Sequence, residues 1–189
     1  HFAAAAELIH NATLLHDDVA DNSPVRRGEP TVMSLLGGRA SVLLGDYWLV
    51  KGIESVLSVN TFSGKVIRIF SNTLSDLAEG ELLQLQKADT CDTTESDYYR
   101  IIYNKTASLF VASANTAAIS VSASDEKRKA AKLYAECLGI AFQIKDDIFD
   151  YEGGDLTGKP SGLDLEERKI TLPLLGAFVN AGEDMEKEI

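Results

Sequence analysis

At 189 residues, 45% apolar and 25% charged, the chain is long enough to bury one substantial core and has an ordinary globular composition. A formal charge of −11 with no compensating basic face argues against a nucleic-acid partner. No apolar run reaches the length of a membrane span and no signal-peptide pattern is read, so no transmembrane segment and a cytoplasmic location are expected. Cys91 and Cys137 lie far apart and form no metal spacing. Two free thiols are the plain reading, with a disulfide as the alternative.

His1 to Val19 reads as an alanine-rich helix, strong on propensity and narrow enough for close packing. Asn22-Ser23-Pro24 ends it. Val25 to Gly38, with Arg26-Arg27-Gly28, is expected as an irregular connection. Ala40 to Val59 is apolar nearly all round and reads as a central buried helix. Ser63 to Ala88 carries Val66, Phe70, Leu74 and Leu77 at helical spacing. Ser96 is a candidate cap for a long helix over Asp97 to Val121, small-residue-rich in its later half. Ser124 is the candidate cap of the next helix, with Asp125 and Glu126 in its first turn. Leu133, Cys137, Ile140, Ile144 and Ile148 form its apolar stripe. Gly153 to Arg168 reads as a loop, and Ile170 to Ala181 as a helix with Pro173 in its first turn. No strand pattern rises above the helical one, so the fold class is all-α.

The first helix ends in Asp17-Asp18-Val19-Ala20-Asp21. On a helix these carboxylates share one face. They repel one another, and the negative end of the macrodipole opposes them further. A cation is needed to compensate. The pattern returns as Asp146-Asp147-Ile148-Phe149-Asp150, again near a helix end. Two DDxxD copies, each emerging from an apolar helix, suggest two acidic surfaces facing across a cavity. Oxygen-only clusters suit Mg2+, which keeps several waters and shares the rest of its shell with substrate phosphate. Arg26, Arg27, Lys105, Lys159 and Lys169 are placed to answer the carboxylates and hold a diphosphate. Metal and cations together would stabilise a departing diphosphate.

One acidic trio alone is most often a solvated helix face. His10, on an apolar face, reads by itself as a packed core histidine. His16 is left outside the site. Lys105-Thr106 alone carries no signal, since a mid-helix lysine snorkels to solvent. Lys127-Arg128-Lys129 reads as a solvated turn and not as a phosphate site.

Taken together, the strings Leu15 to Asp21, Arg26-Arg27-Gly28, Glu79-Gly80-Glu81, Lys105-Thr106, Phe142 to Asp150, Gly158-Lys159 and Lys169 resemble the trans-isoprenyl diphosphate synthases, or polyprenyl synthetases. The resemblance covers almost the whole chain. It implies an isoprenoid-synthase-type helical bundle around a central cavity. It implies Mg2+ held by Asp17, Asp18, Asp21, Asp146, Asp147 and Asp150. Arg26, Lys105, Gln143, Lys159 and Lys169 would touch the allylic diphosphate (geranyl, farnesyl or geranylgeranyl) or its metals, with Thr106 beside them. His10 and Arg27 would hold isopentenyl diphosphate. The resemblance also implies pairing of two copies through helices such as Ala40 to Val59 and Ser63 to Ala88. Chain length is read just before the first motif, where Ala12 and Thr13 are both small and admit a medium or long product.

The family's Gly-Lys-x-x-Arg element lies upstream of the first motif, and family members continue past Ile189. The chain is therefore read as a single polyprenyl synthetase domain lacking N- and C-terminal helices. Two competitors remain. A class I terpene cyclase shares the first motif but carries an Asn/Ser/Glu motif in place of the second. A non-catalytic partner subunit loses aspartates or lysines, and both sets are retained here.

Overall fold

The protein is described by a computed structural model covering residues 1–152 and 162–181. The elements are α1 (Phe2–Ala20), β1 (Val25–Arg26), β2 (Glu29–Pro30), α2 (Val32–Leu36), α3 (Gly38–Leu57), α4 (Ser63–Thr90), α5 (Glu95–Ile102), a π-helical segment (Tyr103–Ala107), α6 (Ser108–Ser120), α7 (Asp125–Glu152), α8 (Leu163–Glu166) and α9 (Leu172–Asn180). The expected all-α class holds. The exception is a two-residue antiparallel ladder, Val25 opposite Pro30 and Arg26 opposite Glu29, in the stretch expected to be irregular. Arg27 and Gly28 form its turn, both at positive φ (53° and 83°). A two-residue hairpin of the I′ class requires that of both central residues.

The chain divides into two compact units, His1–Thr73 with Val111–Leu133, and Leu74–Phe110 with Tyr134–Ile189. In the first, α1 lies along α3. Ala5, Ile9, Ala12 and Leu15 bury the inner face of α1. The Ser41 hydroxyl donates to the Leu15 carbonyl at 2.8 Å. Gly52 leaves room for Ile9, whose side chain would stand 3.4 Å from a Cβ there. The expectation of a buried central helix at α3 is corrected here. α3 buries Ser41, Gly45, Gly52 and Val56, while Leu43, Tyr47, Val50 and Leu57 are exposed. Small residues bury by letting backbones approach, so the apolar majority of this helix faces outward.

In the second unit Thr94, not Ser96, caps α5. Its hydroxyl accepts from the Asp97 N–H and the Asp97 carboxylate accepts from the Thr94 N–H. The long helix expected over Asp97 to Val121 is interrupted by the π segment. Two glycines accommodate it. A Cβ on Gly80 of α4 would stand 2.7 Å from the Asn104 Cβ, and one on Gly139 of α7 only 2.6 Å from the Ala107 Cα. Accordingly α7 buries Ala135, Gly139 and Asp147 at four- and eight-residue spacing. The expected stripe through Leu133 and Cys137 is instead exposed at those two residues.

Candidate functional site

The first acidic motif occupies the last turn of α1 in the first unit. Asp18 is 4% exposed. Its Oδ1 accepts from Arg26 Nε at 2.7 Å. The hairpin thus presents one arginine to the motif from its strand and the next, Arg27, at its strained turn. Asp17 and Asp21 flank Asp18, and both are partly exposed. His10 lies two turns earlier on α1. Burial lowers its pKa. Glu7 opposes that shift, and the charges of Arg27 and Arg26 add to it. The structure therefore brings His10, Arg26 and Arg27 into one electrostatic neighbourhood. Ala12 is fully buried, whereas Thr13 is partly exposed and donates its hydroxyl to the His10 carbonyl at 2.8 Å. His16 turns to α3, where its Nε2 lies 3.2 Å from an Asp46 carboxylate oxygen, over the space left by Gly45.

The second unit gathers residues that are distant in sequence. Tyr98 donates its hydroxyl to Asp147 Oδ2 at 2.6 Å. Gln143 Nε2 donates to Asp147 Oδ1 at 2.8 Å. Thr106 donates to Gln143 Oε1 at 2.7 Å. The amide orientation follows from chemistry, because a carboxylate only accepts while the threonine hydroxyl supplies a proton. Asp147 is 5% exposed. Burial raises its pKa. The two donors work against this, and Asp146 and Asp150 reinforce it.

Lys105 sits on the π segment, paired with Glu81 and donating to Gln84 Oε1 at 3.0 Å. π-helical turns recur at functional sites because they re-aim side chains out of the α register. Asp150 accepts from the Leu163 and Asp164 N–H groups at 3.2 and 3.1 Å, tying the motif to α8. Burial pushes the Asp164 carboxyl up to about 7, with Asp150 and Asp147 adding to the shift. Lys169 pairs with Glu167. Lys159 lies outside the described residues.

Tyr98, Gln84 and Asp164 were not among the candidates read from the sequence. Only the Glu79-Gly80-Glu81 string pointed toward the partner of Lys105. No periodic pattern marks Tyr98, a tyrosine whose ring is core and whose hydroxyl is site.

Among the described residues no three Asp, Glu, His or Cys side chains gather closely enough to hold an ion by themselves. Asp18 turns to Arg26 and Asp147 to Tyr98 and Gln143. Mg2+ seldom needs such a cage, since it retains waters and takes one or two carboxylates beside substrate phosphate. The carboxylate-only donor set of both motifs fits that ion and offers nothing to a soft metal.

The polyprenyl synthetase family model matches residues 1–189. The chain belongs to the polyprenyl synthetase family. Among its curated relatives is octaprenyl diphosphate synthase of Escherichia coli K12, 44% identical over 177 residues, covering 93% of this chain and 54% of that protein. The crystal structure of a decaprenyl diphosphate synthase from Rhodobacter capsulatus superposes with a TM-score of 0.91 at 42% identity, covering 99% of this chain and 57% of the other. A polyprenyl synthase from Caulobacter crescentus CB15, crystallised with calcium and isoprenyl diphosphate, gives 0.90 at 40% identity, covering 98% and 56%. This polyprenyl synthetase chain thus spans about half the length of the relatives it matches. No helix among its described residues is long and apolar enough to cross a membrane.

Proposed function

We propose that the protein is a trans-polyprenyl diphosphate synthase, a Mg2+-dependent prenyltransferase that condenses isopentenyl diphosphate with an allylic diphosphate. The observation that carries the reading is the Thr106–Gln143–Asp147–Tyr98 hydrogen-bond chain, which joins the second acidic motif to two other stretches of the sequence, at Tyr98 and Thr106. In the reaction the allylic C–O bond breaks and its electron pair leaves with diphosphate. The alkene of isopentenyl diphosphate attacks the resulting cation, and a proton is lost to the released diphosphate.

Asp17, Asp18, Asp21, Asp146, Asp147 and Asp150 are the proposed Mg2+ ligands. Bound there, Mg2+ would neutralise charge on the leaving diphosphate. Arg26, Lys105, Thr106, Gln143, Lys159 and Lys169 would bind and orient the allylic diphosphate, with Lys105 and Lys159 offsetting charge as it leaves. Glu81 and Gln84 hold Lys105 in position. Arg27 and His10 would take the diphosphate of isopentenyl diphosphate. Burial lowers the His10 pKa and so favours the neutral imidazole, whose ring N–H would donate there.

A medium or long product is supported by the small residues Ala12 and Thr13 and by the octaprenyl and decaprenyl names of the relatives. The chain would form part of one polyprenyl synthetase domain, in the cytoplasm, where exposed thiols such as Cys91 and Cys137 stay reduced. A homodimer is supported by the exposed apolar residues Leu43, Tyr47, Val50 and Leu57 on α3, a patch suited to a second copy.

Asp17→Ala should lower kcat at least about a hundredfold, the scale of losing one group that stabilises developing charge. The far-UV circular dichroism should stay unchanged. An unaltered rate would remove the metal assignment.

A further inference from the structure

Within the first unit, Gly64, Lys65, Arg68, Ile69 and Asn72 of α4, Asn115 of α6 and Arg128 of α7 line a pocket of about 520 Å³. This falls within the usual size range of small-molecule sites. None of these residues belongs to the acidic motifs or their partners. Three are cationic, in a chain whose net charge is −11.

Two polar atoms there are buried and lack a hydrogen-bond partner among the described residues, Asn115 Oδ1 and Arg128 Nε. Asn115 is only 8% exposed, so its orphaned acceptor carries a real desolvation cost. Asp125 takes one Nη of Arg128 at 3.0 Å and leaves the Nε–H free. Lys65 and Arg68 are exposed and make no ion pair among the described residues. The positive dipole ends of α4 and α7 add to the field, offset in part by Asp125 and Glu126. The solvated turn expected at Lys127-Arg128-Lys129 is instead the first turn of α7, where Arg128 is only partly exposed and its Nε is buried.

We propose that this pocket is a second anion site, taking a small phosphate-bearing molecule. Its oxygens accept from Lys65, Arg68 and Arg128 Nε, and an O–H on it donates to Asn115 Oδ1. The donor is either an acidic P–OH or a hydroxyl elsewhere on a phosphate ester. The inference is independent of the prenyltransfer reading, because none of its groups takes part there.

The test is calorimetric titration of the full-length protein in EDTA, so that the acidic motifs hold no metal. The probes are inorganic phosphate and glycerol 3-phosphate. Saturable one-to-one binding is expected. It should weaken at least tenfold in the double variant Lys65→Gln/Arg68→Gln, both exposed positions that leave the core intact. Arg27→Gln should leave it unchanged. Asn115→Leu should remove any preference for glycerol 3-phosphate over phosphate; if the two probes bind equally to wild type, the donor is the P–OH. No saturable binding of either probe would overturn the proposal. So would equal binding by the double variant, or loss of binding in Arg27→Gln.

Discussion

Asp147 is a carboxylate at 5% exposure whose two oxygens are each met by one side-chain donor. Tyr98 is 2% exposed, and its hydroxyl has no water to replace Asp147. Burial and the neighbouring carboxylate both raise the Tyr98 pKa, so it remains a donor at every working pH. Tyr98→Phe keeps the ring and deletes the donor. It should cost about 1.5–3 kcal/mol, the range for a hydrogen bond to a charged group. Chemical denaturation would measure that loss. Turnover should fall with it if Asp147 works in the reaction.

Asp97 offers a separate test at the same scale. Its hydrogen bonds to Thr94 and Lys87 hold its carboxyl down at about 2, below the ordinary 3.8. A depressed carboxyl stabilises the fold above its unfolded value, and that contribution disappears as pH falls toward the folded one. Stability should therefore drop between about pH 4 and 2. Asp97→Asn should flatten the drop in a pH series of thermal melts. An unchanged profile would contradict the capping-box account.

At the scale of elements, the π segment decides where Lys105 and Thr106 point. It lies between α5 and α6, and glycines on α4 and α7 accommodate its backbone. Gly139→Ala would place a methyl 2.6 Å from the Ala107 Cα, a distance real Cβ atoms do not adopt. Overpacking of this kind costs about 1–3 kcal/mol. The variant should lower Tm and also reduce turnover by displacing Thr106 from Gln143. A variant with normal Tm and normal activity would show that α7 can retreat without consequence.

The same segment marks the limit of what was legible in the sequence. The helices and their order follow from apolar spacing, and both acidic motifs sit at helix ends as their sequence context implies. A one-residue widening of the helical period leaves no trace in hydropathy, so α5, the π turn and α6 read as one helix. The stripes of α3 and α7 were misassigned for a related reason. Leu43, Tyr47 and Leu133 outweigh Gly45, Gly52 and Gly139 on any hydrophobicity scale. Yet it is the small residues that let backbones touch. Ser96 has the chemistry of a cap, but so has Thr94, and the partner three residues on, Asp97, selects Thr94.

On the scale of the whole molecule, each compact unit carries one acidic motif: the first pairs Asp18 with Arg26, and the second holds Asp147 by Tyr98 and Gln143 and carries Lys105 on Glu81 and Lys169 on Glu167. The family assignment rests on a match over residues 1–189 and on a TM-score of 0.91 to a solved relative. The activity rests on whether carbon–carbon bonds are made. The decisive measurement is a product assay. The full-length protein is incubated with Mg2+, farnesyl diphosphate and labelled isopentenyl diphosphate, and the dephosphorylated products are sized. A ladder ending at a medium or long prenyl chain, abolished by EDTA, is the predicted result. No incorporation of label, from a folded protein that still binds diphosphate in a metal-dependent way, would contradict it.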